Sequence, residues 1–384
     1  MNTKRLILIL IHIANLSLFL GCSILGNQST VTNSSNPAPK EKPRPMVDNS
    51  KEAMLNIPYR GLNTNKDITK IGFASCVDQN KPQPAWSAVL KNSPDLFIMM
   101  GDNVYASRKE DRPFIDQYIK LNKETEYAKL REATPFLAVW DDHDFGQNDG
   151  GADNPDKEEA RKWFLKYWSY LKPTLPENQK AIYHSRIIGK KHKVQIILLD
   201  TRWDRSPLVK NPDYNPEDKE NTSQKIYIAN DDKKAQMLSS EQWAWLEKEF
   251  KKPAQLRILV SSIQFIPQEH GFEKWANLPK EKEKLLSLIQ RHKAKNTIIL
   301  SGDRHFASFA KVELKGLGKV YEITSSGLNK PSKAKSPEQD PAYLEDPFLL
   351  PNFGFLTIDW TKRQVKAEIK DENNQTQIEH SIQF

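Results

Sequence analysis

From Asp67 onward the chain alternates between two hydrophobic patterns. Short apolar runs bounded by polar or turn-forming residues predict strands: "ITKIGFAS" (68–75), "DLFIMMG" (95–101), "PFLAVW" (135–140), "KVQIILLD" (193–200), "LRILVSS" (256–262) and "NTIILSG" (296–302). The unbroken run 95–101 is the pattern of a strand buried on both faces. Between these runs, apolar residues recur at helical spacing and predict helices over 85–92, 114–134 and 155–171, and near 233–250 and 279–294. Pro155 and acidic residues open the third of these, as helix starts do. The tail 354–384 alternates and predicts a β meander, while 204–230 reads as a long polar loop. Strands interleaved with helices imply a layered α/β domain over 67–384.

The first 66 residues have a different texture. Lys4 and Arg5 precede the apolar stretch 6–21, which His12 and Asn15 interrupt and which is short for a membrane span. It ends in "FLGC", so residues 1–22 read as an export signal whose Cys22 is the lipid-accepting cysteine of a lipobox, with Phe19 where Leu is usual. An ordinary signal peptide with an incidental Cys22 is the plainer alternative. Residues 23–66, rich in Ser, Asn, Thr, Pro and Lys, read as a polar tether. The expected product is an exported, membrane-anchored lipoprotein, a monomer, with its folded domain held off a bilayer.

Composition narrows the partners. A formal charge of +8 over 384 residues, with no basic stripe interleaved with aromatics, disfavours nucleic acid. The balance suits anionic substrates or a membrane surface. With two cysteines in the chain and Cys22 in the signal, Cys76 has no expected disulfide partner.

The ends of the predicted strands collect unusual chemistry: Cys76, "GDNVY" (101–105), "DDHDF" (141–145), "DTRWDR" (200–205), "SSIQ" (261–264) and "GDRH" (302–305 after Ser301). Ligands of open α/β sheets bind beyond the carboxyl ends of the strands. Each residue also has a bland role. Cys76 can be a core thiol, Asp102 a helix cap, Tyr105 a packed aromatic, and Asp200 can brace Arg202. Together, however, Asp102, Asp142 and Asp303 would repel one another without a multivalent cation. A Cys/Tyr/His/Asp set suits Fe³⁺, and oxygen donors from Asp or Gln suit Ca²⁺ or Mg²⁺.

The motifs "FASC", "GDNVY", "WDDHDFGQND", "LLDTRWDR", "VSSIQFIP" and "LSGDRHFA" resemble, in order and spacing, those of PhoD-like phosphatases, the alkaline phosphatase D group of the calcineurin-like metallophosphoesterases. The resemblance covers about residues 68–325. It implies a four-layer α/β/β/α sandwich, an Fe³⁺/Ca²⁺ centre, and hydrolysis of phosphate mono- and diesters by a metal-bound hydroxide. Carried over by position, Cys76, Tyr105 and His305 resemble the iron ligands and Asp102 the bridging carboxylate. Asp142 and Asp303 resemble the calcium ligands, with Gln264 and Arg202 as further metal or substrate candidates. His143 takes the place of the histidine that assists the leaving group, and the flanking Asp142 and Asp144 would favour its protonated form. The segment after 330 lacks a recognisable iron-capping helix, and no separate N-terminal β domain is evident, so substrate preference stays open. A diesterase acting on phospholipid head groups or surface polymers is one alternative, and a catalytically inactive surface-binding lipoprotein on the same fold is another.

Overall fold

The computed structural model describes residues 49–218, 224–334 and 336–384; Cys22, the signal and most of the expected tether lie outside them. Along the chain run strands β1 (Lys70–Ala74), β2 (Leu96–Met100), β3 (Phe136–Val139), β4 (His184–Ile188), β5 (Val194–Leu198), β6 (Val209–Lys210), β7 (Tyr227–Ile228), β8 (Leu256–Val260), β9 (Thr297–Ser301), β10 (Ala307–Leu314), β11 (Gly318–Ser325), β12 (Asn352–Asp359), β13 (Gln364–Asp371) and β14 (Thr376–Gln383). They form two six-stranded sheets, ordered β14-β13-β12-β1-β2-β3 and β10-β11-β9-β8-β5-β4. β1, β2 and β3 run parallel, as do β5, β8, β9 and β11.

The alternation along the second sheet fixes the layers. Ile196, Leu198, Ile258, Val260, Ile298 and Leu300 share a core with Phe73, Phe97 and Phe355 of the first sheet. Their neighbours Ile197, Leu259 and Ile299 point the other way, into a second core with Trp243, Leu246, Leu285 and Leu288 from the helices Ser240–Phe250 and Pro279–Arg291. A strand buried on both faces is largely apolar, as these are through their middles, with Gln195, Arg257 and Thr297 confined to their starts. The helix Ala85–Asn92 covers the first sheet, its Trp86 edge-on to Phe97 at 5.6 Å between ring centroids. The result is the four-layer α/β/β/α sandwich, with the β12–β14 meander extending the first sheet.

Several boundaries differ from expectation. The helix predicted over 114–134 is two, Phe114–Asn122 and Thr125–Ala133. On either side of the break, Tyr118 stacks on Tyr167 at 4.6 Å and Tyr127 meets Trp86 at 5.0 Å while its hydroxyl reaches that of Tyr167 at 2.9 Å. The hairpin β10–β11 was not predicted, and the polar loop 204–230 carries the small β6–β7 sheet. The folded body also begins before residue 67: Leu55 is buried in the core, and Lys51 pairs with Asp116 at 2.8 Å. Among the described residues no helix is long and apolar enough to cross a membrane.

Candidate metal centre

The parallel strands of the two sheets end side by side, and there the backbone leaves its ordinary range. Cys76, Asp102, Asp303 and His305 have φ of 57°, 47°, 69° and 60°, as does nearby Asp149 at 51°. They are five of the nine non-glycine residues with positive φ among the described residues. An L-residue there is strained by about 1–3 kcal/mol and stays only where its surroundings over-determine it. Two glycines allow the close approach. A Cβ on Gly101 would lie 2.5 Å from Asp141 Cβ, and one on Gly302 would lie 2.4 Å from Ser75 Oγ. The tight turns after β1, β2 and β9 thus point a thiol, two carboxylates and an imidazole into one small volume.

Three groups of ligand atoms result, each with all its atoms within 4.8 Å of one another: Cys76, Asp102 and His305; Asp102, Asp142 and His143; and Asp141, Asp142 and Asp303. Asp102 belongs to two groups, and so does Asp142, so the groups form a chain rather than separate sites. At one end Cys76 Sγ lies 3.4 Å from Asp102 Oδ2, and the Tyr105 hydroxyl is 3.1 Å from His305 Nε2. Ser326 joins the first and last of these elements: its Oγ accepts the His305 amide at 2.7 Å and lies 3.0 Å from Cys76 Sγ. That end carries soft or aromatic donors, and the other carries only carboxylate oxygen.

Electrostatics show what the cluster would favour. Burial pushes Asp102 and Asp303 well above the usual carboxylate range, and neighbouring anions push them further: Cys76 and Asp142 at Asp102, Asp141 and Asp142 at Asp303. Burial raises Asp141 to about 8 although Arg202 opposes it. Asp142 alone is drawn down, to about 2, because His143, Arg202 and the Asp149 amide at 2.9 Å outweigh its burial. Asp141 Oδ2 and Asp142 Oδ1 are buried without a hydrogen-bond partner. Buried carboxylates in such number, with free lone pairs and mixed S, N and O donors, fit multivalent cations.

The other expected residues fare differently. Arg202 is fully buried, and its guanidinium pairs with Asp141 and, at 2.6 Å, with Glu273, which also holds Arg205. Asp200 takes only its backbone amide, so the expected Asp200–Arg202 side-chain brace is replaced by an Asp141–Arg202–Glu273–Arg205 network. Gln264 is turned into the second sheet, bonded to Thr324 Oγ1 at 2.9 Å and to Ser308 and Tyr343, with no bond to the clustered ligands. His143 belongs to the second group, its ring centroid 4.2 Å from that of Tyr105 and its Nδ1 2.6 Å from Ser107 Oγ. The expected carboxylate on either side is corrected. Asp144 folds back to accept the amides of Asp141, Asn103 and Val104, leaving Asp142 alone near the ring, and burial lowers the His143 pKa.

Sequence reasoning passed over Asp141, Ser326 and Lys330. Asp141 stands beside Asp142 before the short helix Asp142–Phe145, so the pair itself was the available signal. Lys330 Nζ lies over the Tyr105 ring, 3.2 Å from its centroid. Nothing in a loop sequence marks such a contact. The segment 326–351 that follows β11 forms no helix among the described residues, in keeping with the missing capping helix.

Comparison with known proteins agrees with this geometry. The structure is similar to that of PhoD (TM-score 0.63, 16% identity, covering 85% of this chain and 74% of that one). It is also similar to the purple acid phosphatase PPD1 from yellow lupin (Lupinus luteus) seeds (0.55, 10%, 84% and 55%) and to a dimetal phosphatase from Danio rerio (0.53, 10%, 83% and 100%). At these identities the likeness is one of fold, and the chain spans little more than half of the lupin protein. A search of curated proteins finds no match. The family model of the PhoD-like phosphatases matches residues 71–369, and the chain therefore belongs to that family of metal-dependent phosphoester hydrolases.

Proposed function

We propose that the strand-end cluster is a two-cation centre that hydrolyses phosphate esters, with Cys76, Tyr105 and His305 holding iron(III), Asp102 bridging, and Asp142 and Asp303 holding a calcium-type ion together with Asp141. The observation that carries this reading is the sharing of Asp102 between a sulfur- and imidazole-containing group and an oxygen-rich one. Soft and aromatic donors favour the more Lewis-acidic ion, and carboxylates favour the harder one. Held there, two such cations would supply charge to offset that of a phosphate and would lower the pKa of a water for in-line attack.

The protein's own groups do the rest. Arg202 and Arg205 hold Asp141 and Glu273 so that the carboxylate end of the cluster keeps its position. The Asp149 amide does the same for Asp142. Ser107 Oγ lies 2.6 Å from His143 Nδ1; in the tautomer where the hydroxyl donates, the ring hydrogen sits on Nε2, the nitrogen free to donate to the departing oxygen. The export signal and lipidated Cys22 expected from the sequence would put this chemistry on the outer side of a membrane. Fatty-acid labelling that is lost in Cys22→Ala tests the anchor.

Elemental analysis with a visible spectrum, alongside turnover of aryl phosphates, tests the centre. Iron with a tyrosinate charge-transfer band supports it. A colourless, iron-free protein of full activity sinks the iron assignment.

A further inference from the structure

A short strap crosses the aromatic end of the site. It leaves β11 at Ser326, whose hydroxyl lies against Cys76, and turns at Gly327, which has φ of 88°. A Cβ there would stand 2.9 Å from the Lys330 carbonyl oxygen, so the turn closes only with glycine. Asn329 staples the strap to the loop after Cys76: it accepts the Asp78 amide at 2.8 Å and donates to the Asp78 carbonyl at 2.8 Å. Two residues beyond Lys330, the Ser332 amide donates to the His305 carbonyl at 2.5 Å. The strap is therefore pinned on both sides of Lys330, to the loop carrying one expected ligand and to another expected ligand directly.

Lys330 so held is half-buried, its ammonium lies over the Tyr105 ring, and it forms no salt bridge among the described residues. The imidazoles of His143 and His305 both feel its charge. A partly desolvated cation that feels Asp78 and Asp102 but closes an ion pair with neither, fixed beside a cluster expected to take phosphate, has room for an anion as a partner.

We propose that Lys330 is a specificity-determining residue that binds the third non-ester oxygen of a phosphomonoester. This rests on the two-cation phosphatase assignment above. Of the three equatorial oxygens in an in-line displacement, two would be taken by cations held on the two ligand groups. The third is free and charged in a monoester but carries an alkyl or aryl group in a diester, where an ammonium gains no ion pair. A rigid Lys330 thus tilts the site toward dianionic monoesters.

The test compares an aryl phosphate monoester with a bis-aryl phosphate diester in the metal-loaded full-length protein, its Lys330→Met variant and its Lys330→Arg variant. Methionine keeps an apolar stem over Tyr105 and removes only the charge. A charged hydrogen bond of ordinary strength predicts a roughly 10- to 100-fold loss of monoester kcat/KM in Lys330→Met, with the diester changed less than about twofold, and recovery in Lys330→Arg. Metal content should be unchanged. Equal losses on both esters together with a lowered Tm would make Lys330 a brace on Tyr105 and overturn the proposal, as would an unchanged monoester. Calorimetry with inorganic phosphate separates the two levels. A wild-type protein that turns over neither ester refutes the phosphatase assignment, whereas equal phosphate affinity in wild type and Lys330→Met refutes the role of Lys330.

Discussion

Tyr105 and His305, 200 residues apart in the chain, meet at 3.1 Å between phenol oxygen and Nε2, one from the loop after β2 and the other from the turn after β9. Burial holds the phenol well above its usual pKa and the imidazole below its own, at about 3, so only a strong Lewis acid would draw a phenolate there. Tyr105→Phe is expected to abolish the visible charge-transfer band while calcium-type metal stays bound. Cys76→Ser should bleach the protein through loss of iron. Spectra and elemental analysis of the two variants side by side read both outcomes.

His143 shares a candidate ligand group with Asp102 and Asp142, yet its expected role is at the leaving group, with Ser107 against its Nδ1. His143→Ala should lower kcat by about 100-fold or more, in the range of a lost general acid, with metal content near normal. The loss should shrink for esters whose leaving group is a weakly basic phenol and grow for alkyl esters. A loss independent of the leaving group, or loss of metal, would assign His143 a different role.

Arg202 is buried among Asp141 and Glu273 with no exposed surface. Removing one partner of such a network leaves uncompensated buried charge and costs about 3–5 kcal/mol. Arg202→Met should therefore lower the urea midpoint strongly. It should also weaken retention of the calcium-type ion, since Asp141 loses the group that orients it. Denaturation curves and metal analysis at several chelator concentrations check both.

Metal removal should make stability pH-dependent in a defined sense. Without cations, Asp141 titrates at about 8 in the folded chain against a reference of 3.8, and Asp102 and Asp303 are raised well above the same reference. The folded state then holds more protons than the unfolded one across that window, so stability falls as pH rises from about 4 to 8, by up to ~1.4 kcal/mol per pH unit for each proton. The chelated protein should melt lower at pH 8 than at pH 5. The metal-loaded protein should show a smaller slope, and Asp141→Asn should flatten the slope of the chelated form. A steeper melt at acid pH in the chelated form would contradict this account.

The strand ends were legible because they obey local rules. An apolar run that closes in Gly-Asp, twice, or in Ser-Cys marks a buried strand breaking into a tight turn, and a parallel sheet gathers such turns at one edge. The β10–β11 hairpin was harder to read. Past Ala310 its strand mixes Lys311 and Glu313 with Val312 and Leu314, a pattern that burial on one side alone produces. The break between Asn122 and Thr125 carries no glycine or proline, so no local signal marks it.

The sequence by itself determined the layered α/β class, the order of the strands that build the site, and which residue types meet at their ends. These depend on periodicity and turn chemistry, which act between neighbours in the chain. Only the tertiary structure decided that Asp144 caps a turn while Asp141 joins the cluster, that Gln264 faces away from it, and that Lys330 lies over Tyr105. It also moved the His143 pKa down, against the expected direction. Neighbouring carboxylates in sequence argued for charge, but one of them points elsewhere and burial outweighs the other. Direction, distance and dielectric are properties of packing, and no spacing of letters along the chain carries them.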